Sequence, residues 1–513
     1  MNEHRDLKSS GPRYLLSVIG FSSIPRVVTS VLTLISFPLV LRAIGAAEYG
    51  VFVYVSAVLT IVVLFADFGV AAAAGKAIAE ARPRGPTFTR QVLVRCVRLQ
   101  LLVGVVGLLP VSAISWLIVE TSANVVVESA FLATMIVATW LAVVTAFERS
   151  CLQSYLAFGW LAVLDTVESS VRTIMWLLVA WVVPTKMGLA LASLIPTVIA
   201  TVFGGTLLVV KARGRWYWGG DELAGSNAPP YSYRKLLSDS ASFMSVGLAT
   251  RVFTSTPYIV LGRLSGAEVV GVVGAFAKLL EAISFPFITL GNALAVRAHE
   301  VKAAGVTAVV ALCDACLRFV VIAAGAMGVF LLASDFLARV LVPDTSQGPA
   351  LFSILSAVIL THSIACFVSP VSDFVGGIRP RMMFLTGLTI FQVPFLWIAT
   401  LLWSERGGVA AYAIVNVAMI GGYIFIAKRV LLDGAGYLLP RYISVSLGAV
   451  ALALVASMIV KANLTAAVPS YLDFDVIIPM TAYLLALGAV FIGSKELRRR
   501  FLSLSVFEFT RSV

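Results

Sequence analysis

The sequence predicts an all-α integral membrane protein with fourteen transmembrane helices, built as two six-helix lobes related by a pseudo-twofold along the membrane normal plus two C-terminal helices. Three observations carry that expectation: apolar stretches of spanning length recur from Tyr14 to Gly493, basic residues alternate between successive loops, and a loop motif returns 221 residues further along the chain. Apolar side chains make up 60% of the 513 residues and charged ones 12%, against roughly a quarter charged in soluble domains.

A span of the hydrocarbon core needs about 20 apolar residues in a helix. That rule places helices at 14–37, 49–72, 98–119, 127–147, 158–183, 187–210, 240–261, 270–294, 306–333, 350–372, 382–403, 408–427, 440–460 and 475–493. Hydrocarbon leaves exposed backbone groups without partners, and the sequence lacks the short alternating segments of a transmembrane barrel, so helices are the consistent choice. Arg5, Lys8 and Arg13 precede the first span without a small-residue exit, which reads as an uncleaved helix rather than a removable leader.

Basic residues set the orientation. Lys76, Arg82, Arg84, Arg90 and Arg95 fall in one loop, Lys211, Arg213, Arg215, Arg234 and Lys235 in a second, Arg379 and Arg381 in a third, and Lys428, Arg429 and Arg441 in a fourth. These face the cytoplasm by the positive-inside rule, while the loops between them carry at most one Lys or Arg each. Both termini are therefore expected on the cytoplasmic side, and the tail of Lys495, Arg498, Arg499 and Arg500 agrees. The same placement accounts for the net charge of +12, so no nucleic-acid partner is implied.

Arg42-Ala-Ile-Gly45-Ala46-Ala-Glu-Tyr-Gly50-Val51 aligns with Arg263-Leu-Ser-Gly266-Ala267-Glu-Val-Val-Gly271-Val272 at five of ten positions. Both segments follow odd-numbered helices, so the halves share one orientation, the plan in which a site lies between rocking repeats. The resulting division is an N-terminal lobe 1–210, a cytoplasmic linker 211–239, a C-terminal lobe 240–430, and a final segment 431–513 holding helices 13 and 14 and the basic tail. Trp216-Tyr217-Trp218 at the start of the linker reads as a headgroup anchor.

A charge near the bilayer centre costs at least about 2.5 kcal/mol, so the charges inside these spans mark a wet path or a bound polar ligand. Ser22, Arg26, Thr29, Ser30 and Thr33 share one face of helix 1, and Ser240, Gly247, Arg251, Thr254 and Ser255 recur on helix 7. Arginine keeps its charge and offers a planar fork of donors suited to phosphate; snorkelling or pairing with a carboxylate is the competing account. Lys278 on helix 8 extends the cationic surface. Asp67 and Glu281 either neutralise these cations or take up H+ or Na+ during transport. Glu168 with Arg172, and Asp314 with Arg318, are spaced to pair locally, which leaves Asp165 as the carboxylate of its group without a partner on its own helix. Asp165, Glu168 and Asp314 complete the candidate coupling residues. His362 is read as a packing residue, and Cys313-x-x-Cys316 as small helix-packing residues. The cysteines lie within spans or at their cytoplasmic ends, where disulfides are not expected.

No Walker A, Gly-x-Ser-x-Gly, His-Glu-x-x-His or dinucleotide fingerprint occurs, so ATP hydrolysis on this chain is not expected, no cofactor or metal is called for, and any driving force is an ion gradient, the membrane potential or a substrate gradient.

Pro38-Leu-Val-Leu-Arg42-Ala-Ile-Gly45-Ala-Ala-Glu48-Tyr49-Gly50 followed by Asp67-Phe68-Gly69, together with Gly262-Arg-Leu-Ser-Gly266 and Val269-Val-Gly271, resembles the bacterial polysaccharide-transporter family of Wzx-type flippases. The resemblance implies the multidrug/oligosaccharidyl-lipid/polysaccharide exporter fold. It also implies a polyprenyl-pyrophosphate-linked oligosaccharide as cargo, carried to the periplasmic leaflet for O-antigen, capsule or exopolysaccharide synthesis. Arg26, Arg251 and Lys278 become the expected ligands of the pyrophosphate. Membrane lipids, a glycan polymerase and glycosyltransferases of the same pathway are the expected partners. Three alternatives remain open: a MATE-like small-molecule exporter, a peptidoglycan-precursor flippase, and a polyprenol-dependent glycosyltransferase or ligase.

Overall fold

The computed structural model describes residues 36–81, 85–120, 127–155, 157–213, 232–281, 333–343, 347–372 and 378–431, with the single residues 32, 284, 328, 331 and 345. Predicted helices 13 and 14, most of helices 1 and 9 and the second half of helix 8 lie outside the described residues, as do Arg26, Asp314, Arg318 and the Cys313-x-x-Cys316 pair.

The described elements are helical. They are α1 (36–44), α2 (Ala46–Val62), α3 (Leu64–Asp67), α4 (Val70–Ala81), α5 (Pro86–Glu120), α6 (Ser129–Ser154), α7 (Phe158–Val182), α8 (Lys186–Arg213), α9 (Tyr233–Leu264), α10 (267–281), α11 (Ser334–Leu341), α12 (Gly348–Ser372) and α13 (Ile378–Leu431). Six stretches among them are long and apolar enough to cross a membrane: Ala46–Asp67, Thr87–Leu117, Ser129–Ser154, Lys186–Val210, Gly348–Cys366 and Arg379–Tyr423. α7 is as long as these, but Asp165, Glu168 and Arg172 interrupt its apolar run.

Several helices exceed their expected bounds. α5 begins at Pro86 rather than 98, α6 runs to Ser154 rather than 147, and α9 begins at Tyr233 rather than 240. Lys76, Arg90 and Arg95, expected in a loop, therefore sit on helices. Helices extend past the apolar run because charged residues with straight side chains are good helix formers once the backbone reaches water.

The described residues of Leu16–Gly274 form one compact unit, and those of Ala275–Val513 a second. In the first, α6 packs against α4 and α8, α8 against α7, and α9 against α2, α3 and α4. Its core joins Val70, Ala74, Ile78, Leu93, Cys96, Phe147, Cys151, Leu164 and Leu207.

The repeated motifs meet in this unit. A Cβ at Gly50 would overlap the backbone carbonyl of Ala267, and a Cβ at Gly271 would overlap that of Ala46. The shift of 221 residues maps Gly50 onto Gly271 and Ala46 onto Ala267. Reciprocal contacts of this kind are what a local twofold produces. Gly45 and Gly266, also repeat mates, both hold positive φ, at 85° and 93°, where a side chain is disfavoured. Gly271→Leu is expected to cost about 3 kcal/mol, because the obstacle is backbone and no rotamer relieves it. Gly421, with nothing near its would-be Cβ, is the control: Gly421→Ala leaves the melting temperature in detergent unchanged. Equal melting of both variants would remove the close crossing.

In the second unit, α11 packs on α12 and α12 on α13. α13 would extend about 80 Å if straight, at roughly 1.5 Å per residue over its 54 residues. It does not: Trp403 and Ser404 leave helical geometry, Ser404 with φ 54°. The rings of Phe384 and Tyr423 then lie 6.3 Å apart, which folds the two arms back on each other as a hairpin. The two expected spans 382–403 and 408–427 are those arms.

Candidate functional site

Three polar groupings lie within the helices. The first centres on Arg251 of α9. Asp67 closes α3, and the chain turns there through two left-handed residues, Phe68 at φ 47° and Gly69 at φ 72°. Glycine is required at 69 for a second reason: a Cβ would run into the backbone of Ser240 and Met244, so the break lets α9 come close. Ser56 and Thr60 turn their hydroxyls back onto the carbonyls of Phe52 and Ser56, at 2.7 Å each. Arg251 Nη1 donates to the Thr60 carbonyl oxygen at 3.3 Å, and Arg251 and Asp67 lie within electrostatic reach of each other. Asp67 Oδ1 accepts the Ala71 N–H at 3.4 Å. The structure thus brings together two of the expected residues, one cationic and one anionic, beside half-buried hydroxyls.

Contacts secure α9 against helix 2 of the predicted order on both sides of Arg251. Lys76 Nζ bonds Asp239 at 2.9 Å and Lys235 Nζ bonds Glu80 at 2.8 Å, two crossed ion pairs between α4 and the start of α9. Toward the other end, a Cβ at Gly262 would strike the ring of Tyr54, one turn short of the glycine crossing. These ion pairs are partly exposed, so each contributes about 0.5 kcal/mol. Lys76→Glu is expected to lower the melting temperature by about 1–2 °C, and adding Asp239→Lys to restore it. Equal melting of the parent, single and double variants would show that the pairs hold nothing.

The second grouping bridges α6 and α7. Arg149 Nε donates to Asp165 Oδ1 at 2.9 Å, its Nη2 bonds Glu168, and Arg172 Nη2 bonds the other oxygen of Glu168. The expected Glu168–Arg172 pair is present, and Asp165, unpartnered on its own helix, finds its partner on the preceding one. Arg149 was missed because helix 4 was expected to end at 147. Its signal was the unbalanced carboxylate on helix 5.

The third pairs Lys278 Nζ with Glu281 at 2.9 Å on α10. Lys278 and Glu281 belong to the unit from Ala275 onward, Arg251 and Asp67 to the preceding one. Among the described residues no group of three or more His, Cys, Asp and Glu side chains offers a metal site. Cys96, Cys151 and Cys366 are free thiols.

Comparison with known proteins follows the same lines. A family model described as "Polysaccharide biosynthesis protein" matches residues 16–295, more than half of the chain. A search of curated protein sequences gives no match. Among solved structures, the lipid II flippase MurJ in an inward closed conformation is similar at a TM-score of 0.61 and 12% identity, covering 92% of this chain and 100% of that one. An inward-facing multidrug resistance MATE family transporter of the MOP superfamily gives 0.57 at 16%, covering 79% and 96%. An outward-facing multidrug resistance MATE family transporter of the same superfamily gives 0.53 at 16%, covering 80% and 95%. At these identities the likeness establishes the MOP-type helical fold.

Proposed function

Because the chain belongs to the polysaccharide biosynthesis protein family, we propose that it is a flippase rather than an enzyme, and that it turns a polyprenyl-pyrophosphate-linked oligosaccharide from the cytoplasmic to the periplasmic leaflet of the bacterial inner membrane. The observation that carries this reading is Arg251: a guanidinium on the helix that the sequence expects to span the membrane at 240–261, spending one donor on a backbone carbonyl and flanked by Thr60 and Asp67. A diphosphate group is the ligand to which a guanidinium fork is best matched. A cationic drug is not, which sets the chain apart from a multidrug exporter of similar fold.

The work of such a protein is to carry a sugar head that hydrocarbon would exclude, while the polyprenol tail stays in lipid. Alternating access needs closures on both sides of the site. The crossed pairs Lys76–Asp239 and Lys235–Glu80 fit the cytoplasmic closure, since basic residues gather at that end, and the Gly50–Gly271 crossing fits the outer one. Opening inward breaks the ion pairs; opening outward parts the glycines. From the sequence, Arg26 and Lys278 are proposed as further cationic ligands of the head group, and Asp67, Glu281, Asp165, Glu168 and Asp314 as candidates for coupling to H+ or Na+.

The test is leaflet accessibility of a lipid-pyrophosphate-linked oligosaccharide in vesicles with and without the full-length protein. Protein-dependent appearance of the glycan on the opposite leaflet is expected. No movement under any imposed ion gradient, with folded protein confirmed, would rule out the proposal and return weight to an exporter of other cargo or a glycosyltransferase.

A further inference from the structure

Glu148 precedes Arg149 on α6 but serves a different neighbour. Its carboxyl sits in a notch formed by Gly204 and Gly205 of α8: a Cβ at Gly204 would collide with Oε2, and one at Gly205 would come within 3.1 Å of Oε1. The residue is 5% exposed, and Oε2 has no hydrogen-bond partner among the described residues. The surrounding turns contribute Phe147, Cys151, Ala200 and Leu207 to the apolar core. One turn away, the hydroxyls of Thr145 and Thr201 lie 2.8 Å apart, and both also bond backbone carbonyls, to Leu141 at 3.1 Å and Thr197 at 2.8 Å. Two hydroxyl protons are thus shared among the facing oxygens and these carbonyls, and two glycines have no side chain to offer.

Among the described residues, the nearby positive charge is already shared. Arg149 acts on Glu148 electrostatically, but its guanidinium bonds Asp165 and Glu168, and Arg172 bonds Glu168 as well. Three carboxylates therefore share two guanidinium groups. Among the described residues, the other charged groups on the helices packed against α6 are engaged elsewhere or turned to the surface: on α5, Arg95 lies over the Tyr233 ring and Arg90 and Arg98 are exposed. Lys76 and Glu80 of α4 bond Asp239 and Lys235, Glu48 of α2 faces Lys186, and Asp67 of α3 faces Arg251. A carboxylate this buried, with no donor on Oε2 among the described residues and only a shared guanidinium nearby, is costly as an ion, and one proton removes the deficit.

We propose that Glu148 is a proton-binding site: its carboxyl holds one proton while α6 and α8 are packed, and passes it to water when the helices part and solvent reaches the notch, leaving the carboxylate. The double glycine supplies the space, and the threonine pair of the adjoining turn shares its protons among its own oxygens and nearby carbonyls. Coupling of this proton to cargo movement rests on the flippase reading; the site itself does not.

The experiment uses full-length protein in vesicles without cargo. Infrared difference spectra recorded in water and heavy water at neutral pH are expected to show the carbonyl band of a protonated carboxylic acid that disappears in Glu148→Gln. Absence of the band in the parent protein, or its survival in Glu148→Gln, overturns the site. Should Glu148→Gln fail to fold, Gly204→Ala, whose methyl displaces the carboxyl, is expected to shift the band, and an unshifted band overturns the proposal equally. With cargo present, the parent's response to an imposed pH gradient is expected to vanish in Glu148→Gln, and its retention there overturns the coupling. Because the band is read without cargo, the site stands or falls on it even if no glycan moves, a result that would sink the flippase reading alone.

Discussion

Replacing Arg251 by alanine is expected to leave the protein folded in the membrane and to reduce glycan movement to the level of protein-free vesicles. The structural loss is one bond to the Thr60 carbonyl at 3.3 Å, contributing about 1 kcal/mol, together with the attraction to Asp67. The functional loss is larger, since a charge-assisted bond contributes roughly 1.5–3 kcal/mol and the same group would also hold the developing contact as the head is carried across. A loss of about 3 kcal/mol corresponds to more than a hundredfold in affinity. Arg251→Lys separates charge from shape: it keeps the cation but loses the fork, so partial activity is expected. Full activity of Arg251→Ala with cargo shown to bind would remove Arg251 from the site.

Arg251 and Asp67 were legible in the sequence because a charge inside an apolar run stands out whatever the tertiary structure. The crossing at Gly50 and Gly271 was legible in a weaker sense. The repeat displayed the glycines, but only the fold shows that the two copies meet each other. Arg149 and Glu148 were illegible for a physical reason: they lie just beyond the apolar run of helix 4, and hydropathy alone ends a helix where the membrane thins rather than where the backbone stops. The α4–α9 ion pairs were hidden similarly, since Lys76 and Asp239 were assigned to a loop and a linker. Trp403 and Ser404 are the opposite case: they leave helical geometry at the boundary between the expected spans 382–403 and 408–427.

Arg149→Gln is expected to destabilise the protein more than either Asp165→Asn or Glu168→Gln alone. One guanidinium serves both carboxylates, and Glu168 is 8% exposed, so removing the cation strands a buried anion that Arg172 offsets only in part. Breaking a buried pair costs about 3–5 kcal/mol, and the lower end applies here because Arg149 is 34% exposed and water screens it. Removing both members returns much of that cost, since two neutral amides leave no stranded charge. The double variant Arg149→Gln, Glu168→Gln is therefore expected to melt above Arg149→Gln, with a coupling of about 1–3 kcal/mol. Melting temperatures of the four proteins in detergent close the cycle. Additive losses would show that the α6–α7 charges do not act as a unit, and would withdraw the charge balance that leaves Glu148 one proton short.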